Sequence, residues 1–82
     1  MNKLISIVDA SYVGDYKIRF RFNDDKVTLL DFGDFINNST HPDIKKFQDK
    51  ELFKQFNLSF GDIEWFDYEL AFPIYDLYEA KI

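Results

Sequence analysis

Strict alternation of apolar and charged residues in the segment DYKIRFRF, residues 15–22, limits the fold of this chain more than any other feature. Successive side chains of a β-strand point to opposite faces of its sheet, so this pattern predicts a strand with one buried and one exposed face. The apolar residues are Tyr16, Ile18, Phe20 and Phe22, and the cations are Lys17, Arg19 and Arg21. Other parts of the chain must therefore cover the apolar face.

Two flanking segments predict that this strand is the middle one of three. KLISIVDA, residues 3–10, precedes it after a break at YVGD, and KVTLLDF, residues 26–32, follows it. The intervening FNDDK contains the Asn and Asp residues that favour turns. We therefore expect an antiparallel meander of three N-terminal strands.

The middle of the chain predicts helical structure. Pro42 suits the first turn of a helix with Thr40 or His41 as its cap, so PDIKKF is expected to form one short turn. Asp49 is placed to cap a second helix, KELFKQF, over residues 50–56. The apolar residues at helical spacing in that segment are Leu52, Phe53 and Phe56. A helix this short needs packing against the sheet to persist.

The C-terminal third predicts a hairpin followed by one more strand. LSFGDIEW has the layout of two strands joined by a tight turn, since Gly61 can adopt the positive φ that such a turn needs. In this hairpin we expect Asp62 in the turn and Glu64 on the outer face of its strand, away from Trp65. ELAF then forms a strand that ends at Pro73, and IYDLYEAKI forms a helical turn or a tail.

Length and composition predict a single domain over residues 1–82. The chain is 46% hydrophobic and 20% aromatic, which is typical of a folded domain with one core. The expected class is α+β, a small antiparallel meander of three N-terminal strands with a helical insertion and a C-terminal hairpin or strand, packed on one short helix. The apolar run in MNKLISIVDASYVGD is too short and too polar for a signal peptide or membrane span, so we expect a cytoplasmic protein without a membrane partner.

Few residues of this chain could catalyse a reaction. There is no cysteine, and the single histidine, His41, precedes Pro42, where capping a helix explains it better than catalysis. The sequence contains no GxSxG or HExxH motif, and the DFG of LLDFGD occurs without the other parts of a kinase. Glu64, Asp67 and Glu69 could offer oxygen ligands to Mg²⁺ or Ca²⁺, yet no calcium-loop spacing accompanies them. We therefore predict no enzymatic activity, no catalytic residue, no cofactor and no metal site.

Acidic residues are concentrated toward the C-terminal end. The formal net charge is −5, and six acids lie in a stretch without Lys or Arg: Asp62, Glu64, Asp67, Glu69, Asp76 and Glu79. Such a stretch would repel a phosphate backbone, and the three cations of residues 15–22 are few for a nucleic-acid footprint. Nucleic acid is therefore disfavoured as a partner.

Aromatic residues point to a protein partner. Ten Phe, five Tyr and one Trp are more than so small a core encloses, since each ring brings about 150–250 Å² to be buried. Most rings are expected in the core or at its margin, but Phe66, Tyr68, Phe72, Tyr75 and Tyr78 could instead form an aromatic surface among the acids. The predicted partner-binding residues are Glu64, Phe66, Asp67, Tyr68, Glu69, Tyr75, Asp76 and Tyr78.

Several motifs give the chain a family resemblance. The order of YxIxFxF, LLDF, FQDKELFKQF, GDIEW and ELAFPIYDLYE is similar to that of the domain of unknown function 2442 family of small bacterial and phage-borne proteins. The most specific positions are Phe47, Asp49, Leu52, Phe53, Ile63, Trp65, Leu70, Pro73, Leu77 and Tyr78. Asp25 replaces a glycine usual in the family, and Glu69 replaces an aspartate, so these two turns could differ in shape.

The resemblance implies a compact α+β domain with an antitoxin-like role. Family members look like companions of another small domain in adjacent genes, an arrangement suggestive of toxin–antitoxin modules. Other members carry a DNA-binding helix-turn-helix after the domain. Because this chain ends at Ile82 without such an extension, operator binding is not expected.

We therefore predict a non-enzymatic, antitoxin-like module whose acidic aromatic C-terminal surface binds a partner protein, for example a basic toxin. A homodimer is an open alternative for association, since the strand KVTLLDF offers a sheet edge. Two other functions also stay open. One is a phage or mobile-element inhibitor that imitates nucleic acid, and the other is a ligand-binding or enzymatic domain with a deep pocket lined by Trp65, Tyr16 and Glu64.

Overall fold

Two three-stranded antiparallel sheets form the framework of the computed structural model, which describes residues 4–59, 61–66 and 68–81. The first sheet contains β1 (Ile7–Gly14), β2 (Lys17–Phe22) and β3 (Val27–Asp31), and the second contains β4 (Phe56–Ser59), β5 (Asp62–Trp65) and β6 (Leu70–Ala71). The α-helices within these residues are α1 (Gly33–Asn38), α2 (Pro42–Lys45), α3 (Lys50–Phe53) and α4 (Ile74–Tyr78). This arrangement confirms the α+β class, and of its short helices α1 has no counterpart in the sequence prediction.

The N-terminal meander has the predicted topology, with strand order β1-β2-β3. The apolar side chains of β2 are buried and its three cations are exposed, as their alternation predicts. β1 lies four residues further along the chain than the expected 3–10 and continues to Gly14, so the predicted break at YVGD was wrong and the turn consists of Asp15 and Tyr16. In the turn between β2 and β3, Asp25 has a φ of 71°. This conformation suits the glycine that is usual at this position in the family that the chain resembles. Asp25 therefore adopts the backbone conformation that glycine takes most easily.

The helical insertion matches the predicted caps but not the predicted lengths. His41 Nδ1 accepts the N–H of Asp43 at 3.3 Å, and Asp49 Oδ1 accepts the N–H of Glu51 at 2.9 Å. The second of these helices ends at Phe53, so the prediction of a helix over residues 50–56 was wrong. Phe56 belongs instead to β4, where it pairs with Trp65, because strand pairing at this position outweighs the helical spacing.

The C-terminal hairpin is present, and its second strand begins one residue earlier than expected. Ser59 pairs with Asp62, so Asp62 begins β5 and does not lie in the turn as predicted. Gly61 has the expected positive φ, 83°. Residue 60 lies outside the described residues. Leu70 and Ala71 then form β6, and α4 begins directly after Pro73.

Aromatic rings around Trp65 join the two sheets and the helical insertion into one core. The Trp65 side chain is fully buried, and its Nε1 donates to the carbonyl oxygen of Phe53 at 2.6 Å. The rings within 6.2 Å of it, measured between centroids, belong to Phe32, Phe47, Phe53, Phe56 and Phe72. Because these rings come from the loop after β3, the helical segment and the second sheet, Trp65 ties distant parts of the chain together.

Candidate partner-binding site

The predicted partner-binding residues lie in two separate groups. The loop group contains Glu64, Phe66, Tyr68 and Glu69 on β5 and the β5–β6 loop, and the helix group contains Tyr75, Asp76 and Tyr78 on α4. Asp67, also predicted, lies outside the described residues. No hydrogen bond, ion pair or ring contact joins the two groups in the part of the chain that the structure describes.

Glu64 is buried, which corrects the prediction that it lies exposed on the outer face. Its residue is 5% exposed, and Oε2 accepts the backbone N–H of Tyr68 at 3.1 Å. The side chain does point away from the face of Trp65, as the strand period requires, but the β5–β6 loop folds back over it. Phe66 and Tyr68 take left-handed conformations, with φ of 50° and 68°, to make this return. The carboxylate therefore holds a loop.

The rest of the loop group is fixed to the 3₁₀ turn over Lys46–Gln48. The Phe66 ring stacks on Phe47 with centroids 5.9 Å apart, and Lys46 Nζ lies 5.4 Å from both ring centroids. The same Lys46 Nζ donates to Glu69 Oε1 at 2.5 Å. Tyr68 stands out from these contacts with 53% of its surface exposed. The loop is thus held on both sides of an exposed tyrosine.

The helix group is anchored to the turn between β2 and β3. The Tyr78 hydroxyl donates to Asp24 Oδ2, and Lys26 Nζ lies 4.1 Å from the centroid of the Tyr78 ring. This hydrogen bond, with help from the N–H of Lys26, lowers the pKa of Asp24, and the same bond raises the pKa of Tyr78. Tyr75 is 51% exposed. Within this group Tyr78 acts as an anchor, and Tyr75 offers the accessible ring.

Replacing Tyr78 with phenylalanine is expected to lower stability at neutral pH and to weaken its dependence on pH. The folded-state pKa of Asp24 lies below its usual 3.8, so this contribution is present above that pH and is lost as the pH falls through the folded-state pKa. The pKa of Tyr78 lies above its usual 10.0, so its contribution is present below that pH and is lost as the pH rises through the folded-state pKa. Urea unfolding at acid, neutral and alkaline pH measures both losses of stability, the one at low pH and the one at high pH.

Tyr75→Phe is the matched control for this experiment, because Tyr75 lies on the same helix and is more exposed. The control should retain the wild-type profile at acid pH and change it only slightly at alkaline pH, where Tyr75 is the smallest of the causes that raise the pKa of Tyr78. A Tyr78→Phe profile parallel to that of the wild type would show that the bond to Asp24 contributes nothing to folding.

Glu64→Ala is expected to destabilise the fold by about 1–3 kcal/mol, since it leaves the N–H of Tyr68 without its acceptor. Glu64→Gln keeps an acceptor oxygen and should cost less. Urea unfolding gives the free energy, and amide exchange at Tyr68 reports the loop directly. Asp62→Ala, at an exposed position of the same strand, should change stability by no more than about 0.5 kcal/mol. Equal effects at the two positions would mean that Glu64 does not hold the loop.

A shallow groove between α1 and α2 was not predicted from the sequence. It has a volume of about 420 Å³ and is lined by Asp34, Phe35, Asn38, Ser39 and Ile44. Helix α1 itself was missed, because its N-cap residue, Phe32, is not a capping type and makes no side-chain hydrogen bond. The two large apolar residues of GDFINN, Phe35 and Ile36, are adjacent and give no clear helical period.

The deep pocket required by a ligand-binding function does not fit the observed side chains. Trp65 is fully enclosed by other rings, and the Tyr16 hydroxyl donates to the carbonyl oxygen of Gln48 at 2.5 Å. Among the described residues, no three His, Asp or Glu side chains come together in a way that could hold a metal ion. Over the same residues, no helix has the length and apolar character needed to cross a bilayer.

Comparisons with known proteins identify the family. A solved structure with the same fold is the "Crystal Structure of Putative DNA Binding Protein NE0471 from Nitrosomonas europaea ATCC 19718", with a TM-score of 0.71 and 24% sequence identity. The match covers 95% of this chain and 50% of that one, so this chain spans about half of its length. No curated protein matches the sequence. The family model described as "Protein of unknown function (DUF2442)" matches residues 7–82, and the chain therefore belongs to the DUF2442 family.

Proposed function

We propose that this DUF2442 protein is a non-enzymatic, antitoxin-like module that binds a partner protein through Tyr68 on the β5–β6 loop. One observation carries the proposal: a buried carboxylate holds a loop with two left-handed non-glycine residues, and this loop exposes an aromatic ring. Such backbone conformations cost about 1–2 kcal/mol per residue and persist only where the surroundings impose them. Strained, well-anchored loops are common at binding sites.

Tyrosine is well suited to this task. Its ring offers a large contact area with two side-chain torsions, so little conformational entropy is lost on binding. A loop already fixed by Glu64, and by Lys46 through Glu69, lowers the ordering cost further. In this proposal Glu64 is a positioning residue, and Tyr68 with the adjacent Glu69 makes contact with the partner.

Charge supports a basic partner, chiefly through the field of the whole chain. The net charge of −5 favours the approach of a cationic protein and speeds its encounter. Individual acidic side chains attract a basic partner less than the sequence predicts, because two of them already contact lysines. Glu69 contacts Lys46, and Glu79 Oε1 lies 3.2 Å from Lys81 Nζ. The helix group, with Tyr75 and Asp76, is a second contact area in this proposal.

The test is the affinity for a protein captured from the source cell and then purified. Tyr68→Ser should weaken binding at least about thirtyfold, the effect of removing a hot-spot residue worth about 2 kcal/mol. Val8→Ser, an exposed apolar position on β1 outside both groups, should bind as the wild type does. The antitoxin-like role further predicts that co-expression relieves growth inhibition caused by the partner. Unchanged affinity of a folded Tyr68→Ser variant would contradict the proposal.

DNA binding is the second candidate, favoured by the description of the Nitrosomonas europaea protein and by the cations on β2. Acids face those cations, however. Asp9 and Asp31 pair across the strands with Arg21 and Lys17, and Arg21 Nη1 lies 3.8 Å from Asp25 Oδ1. Binding to a DNA duplex that weakens steeply with salt and is lost in Arg19→Glu would replace the protein-binding proposal.

A further inference from the structure

The two outer edges of the first sheet differ in regularity. β1 contains register shifts between Ile7 and Asp9 and between Tyr12 and Gly14. β3 pairs with β2 residue for residue from Val27 to Asp31, and among the described residues no strand lies on its other side. Bulges protect an edge from pairing with another strand, whereas a flat, regular edge invites it. β3 is therefore the edge of this sheet that can accept a strand.

Hydrogen bonds at both ends of the β2–β3 ladder determine which backbone groups face this edge. The N–H of Phe22 donates to Lys26 O at 2.9 Å, and the N–H of Phe32 donates to Tyr16 O at 2.8 Å. Bonded pairs recur at every second residue of an antiparallel ladder, so Thr28 and Leu30 also bond to β2. The backbone N–H and C=O groups of Val27, Leu29 and Asp31 consequently point away from β2, toward the free edge.

The side chains of the same residues lie on the uncovered face of the sheet. Val27 is 54% exposed and Leu29 is 60% exposed, although both are apolar. The only charged residue of β3 is Asp31, at its C-terminal end. The centre of this edge therefore carries none of the charged or proline residues with which sheet edges are usually protected.

We propose that β3 pairs antiparallel with β3 of a second copy of this chain, about a twofold axis at Leu29. Leu29 then lies opposite Leu29 of the second copy, and Val27 lies opposite Asp31 of the second copy. The residues that face each other in this register all have N–H and C=O groups that point toward the free edge. These groups therefore form hydrogen-bonded pairs between the two strands. The product is a six-stranded sheet with an apolar centre on its outer face.

The charges along this edge fit a second copy as the occupant. In this register neighbouring residues form one line across the strands of the joined sheet. The line begins with Lys17 and its cross-strand partner Asp31 of one copy. It continues with Val27, Arg21 and Asp9 of the second copy. Positive and negative charges alternate along this line, and no like charges lie opposite each other. A twofold pair uses the same edge on both copies and therefore closes at a dimer.

Amide exchange at micromolar and millimolar protein concentration tests this pairing residue by residue. The amides of Val27, Leu29 and Asp31 should gain at least about tenfold protection at the higher concentration. Those of Thr28 and Leu30 should be protected at both, since they bond to β2. Sedimentation should show a dimer at millimolar concentration. A monomer at that concentration, or protection that does not alternate, would overturn the proposal.

Two variants at one position complete the test. Leu29→Pro removes an outward N–H without deleting a bond to β2, and it should give a folded monomer at every concentration. If that variant does not fold, Leu29→Lys places two like charges opposite each other and should also be monomeric. Val13→Lys, on the bulged edge of β1, should stay dimeric. A dimer that persists in folded Leu29→Lys would contradict pairing through β3.

Discussion

Trp65→Ala should abolish cooperative unfolding or reduce the free energy of unfolding by about 3–5 kcal/mol. The indole is fully buried among five other rings, so its removal leaves a cavity at the point where the two sheets meet. It also removes the donor to Phe53 O, which strands a buried carbonyl. Domains of this size have about 5–15 kcal/mol of stability in total, so the loss is a large share.

Urea unfolding followed by far-ultraviolet circular dichroism measures this loss, since the variant has no tryptophan fluorescence. Tyr75→Ala removes a large ring from an exposed position and should change stability by about 0.5 kcal/mol or less. A Trp65→Ala protein with the stability of Tyr75→Ala would mean that the ring cluster does not hold the fold together.

Gly61→Ala should be the next most disruptive substitution. Its φ of 83° is strained for any residue with a Cβ, and an added Cβ would lie 2.5 Å from the Cβ of Ser6. The backbone at this point cannot simply move away, because the N–H of Ile7 donates to Gly61 O at 2.8 Å. The conformational strain alone costs about 1–2 kcal/mol, and the clash adds to it. We expect a loss of about 2–4 kcal/mol in the free energy of unfolding.

Gly14→Ala separates these two contributions. Gly14 also has a positive φ, 115°, but a Cβ added there meets nothing within 4 Å. Its substitution should therefore show backbone strain without a clash. A loss at Gly61 of no more than about 1–2 kcal/mol, the strain alone, would show that the turn relaxes away from Ser6 at no cost.

Local periodicity was sufficient to predict the first sheet. The alternation in β2 requires only that one face of the sheet is buried and the other exposed. Ile18, Phe20 and Phe22 are all fully buried, as that period requires. The caps at His41 and Asp49 were likewise predictable, because a cap depends on residues two positions away. Family membership followed from motifs that extend over most of the chain.

Features that depend on tertiary contacts could not be predicted in this way. The strand period correctly places Glu64 and Trp65 on opposite faces of β5. The burial of Glu64, however, depends on the β5–β6 loop, which reaches it through two left-handed residues. Nothing in the composition of FDYE predicts those conformations, since neither Phe nor Tyr favours positive φ. Phe56 was assigned to a helix for a similar reason. Its helical spacing is real, and pairing with Trp65 overrides it.

A double-mutant cycle with the purified partner tests the proposed binding loop most directly. Tyr68→Ser should remove most of the affinity, and Glu64→Gln should reduce it by less, since glutamine retains an acceptor for the Tyr68 N–H. If Glu64 acts by positioning Tyr68, the double variant should bind no more weakly than Tyr68→Ser alone. Additive losses, or wild-type affinity in a folded Tyr68→Ser protein, would contradict a binding site built on this loop.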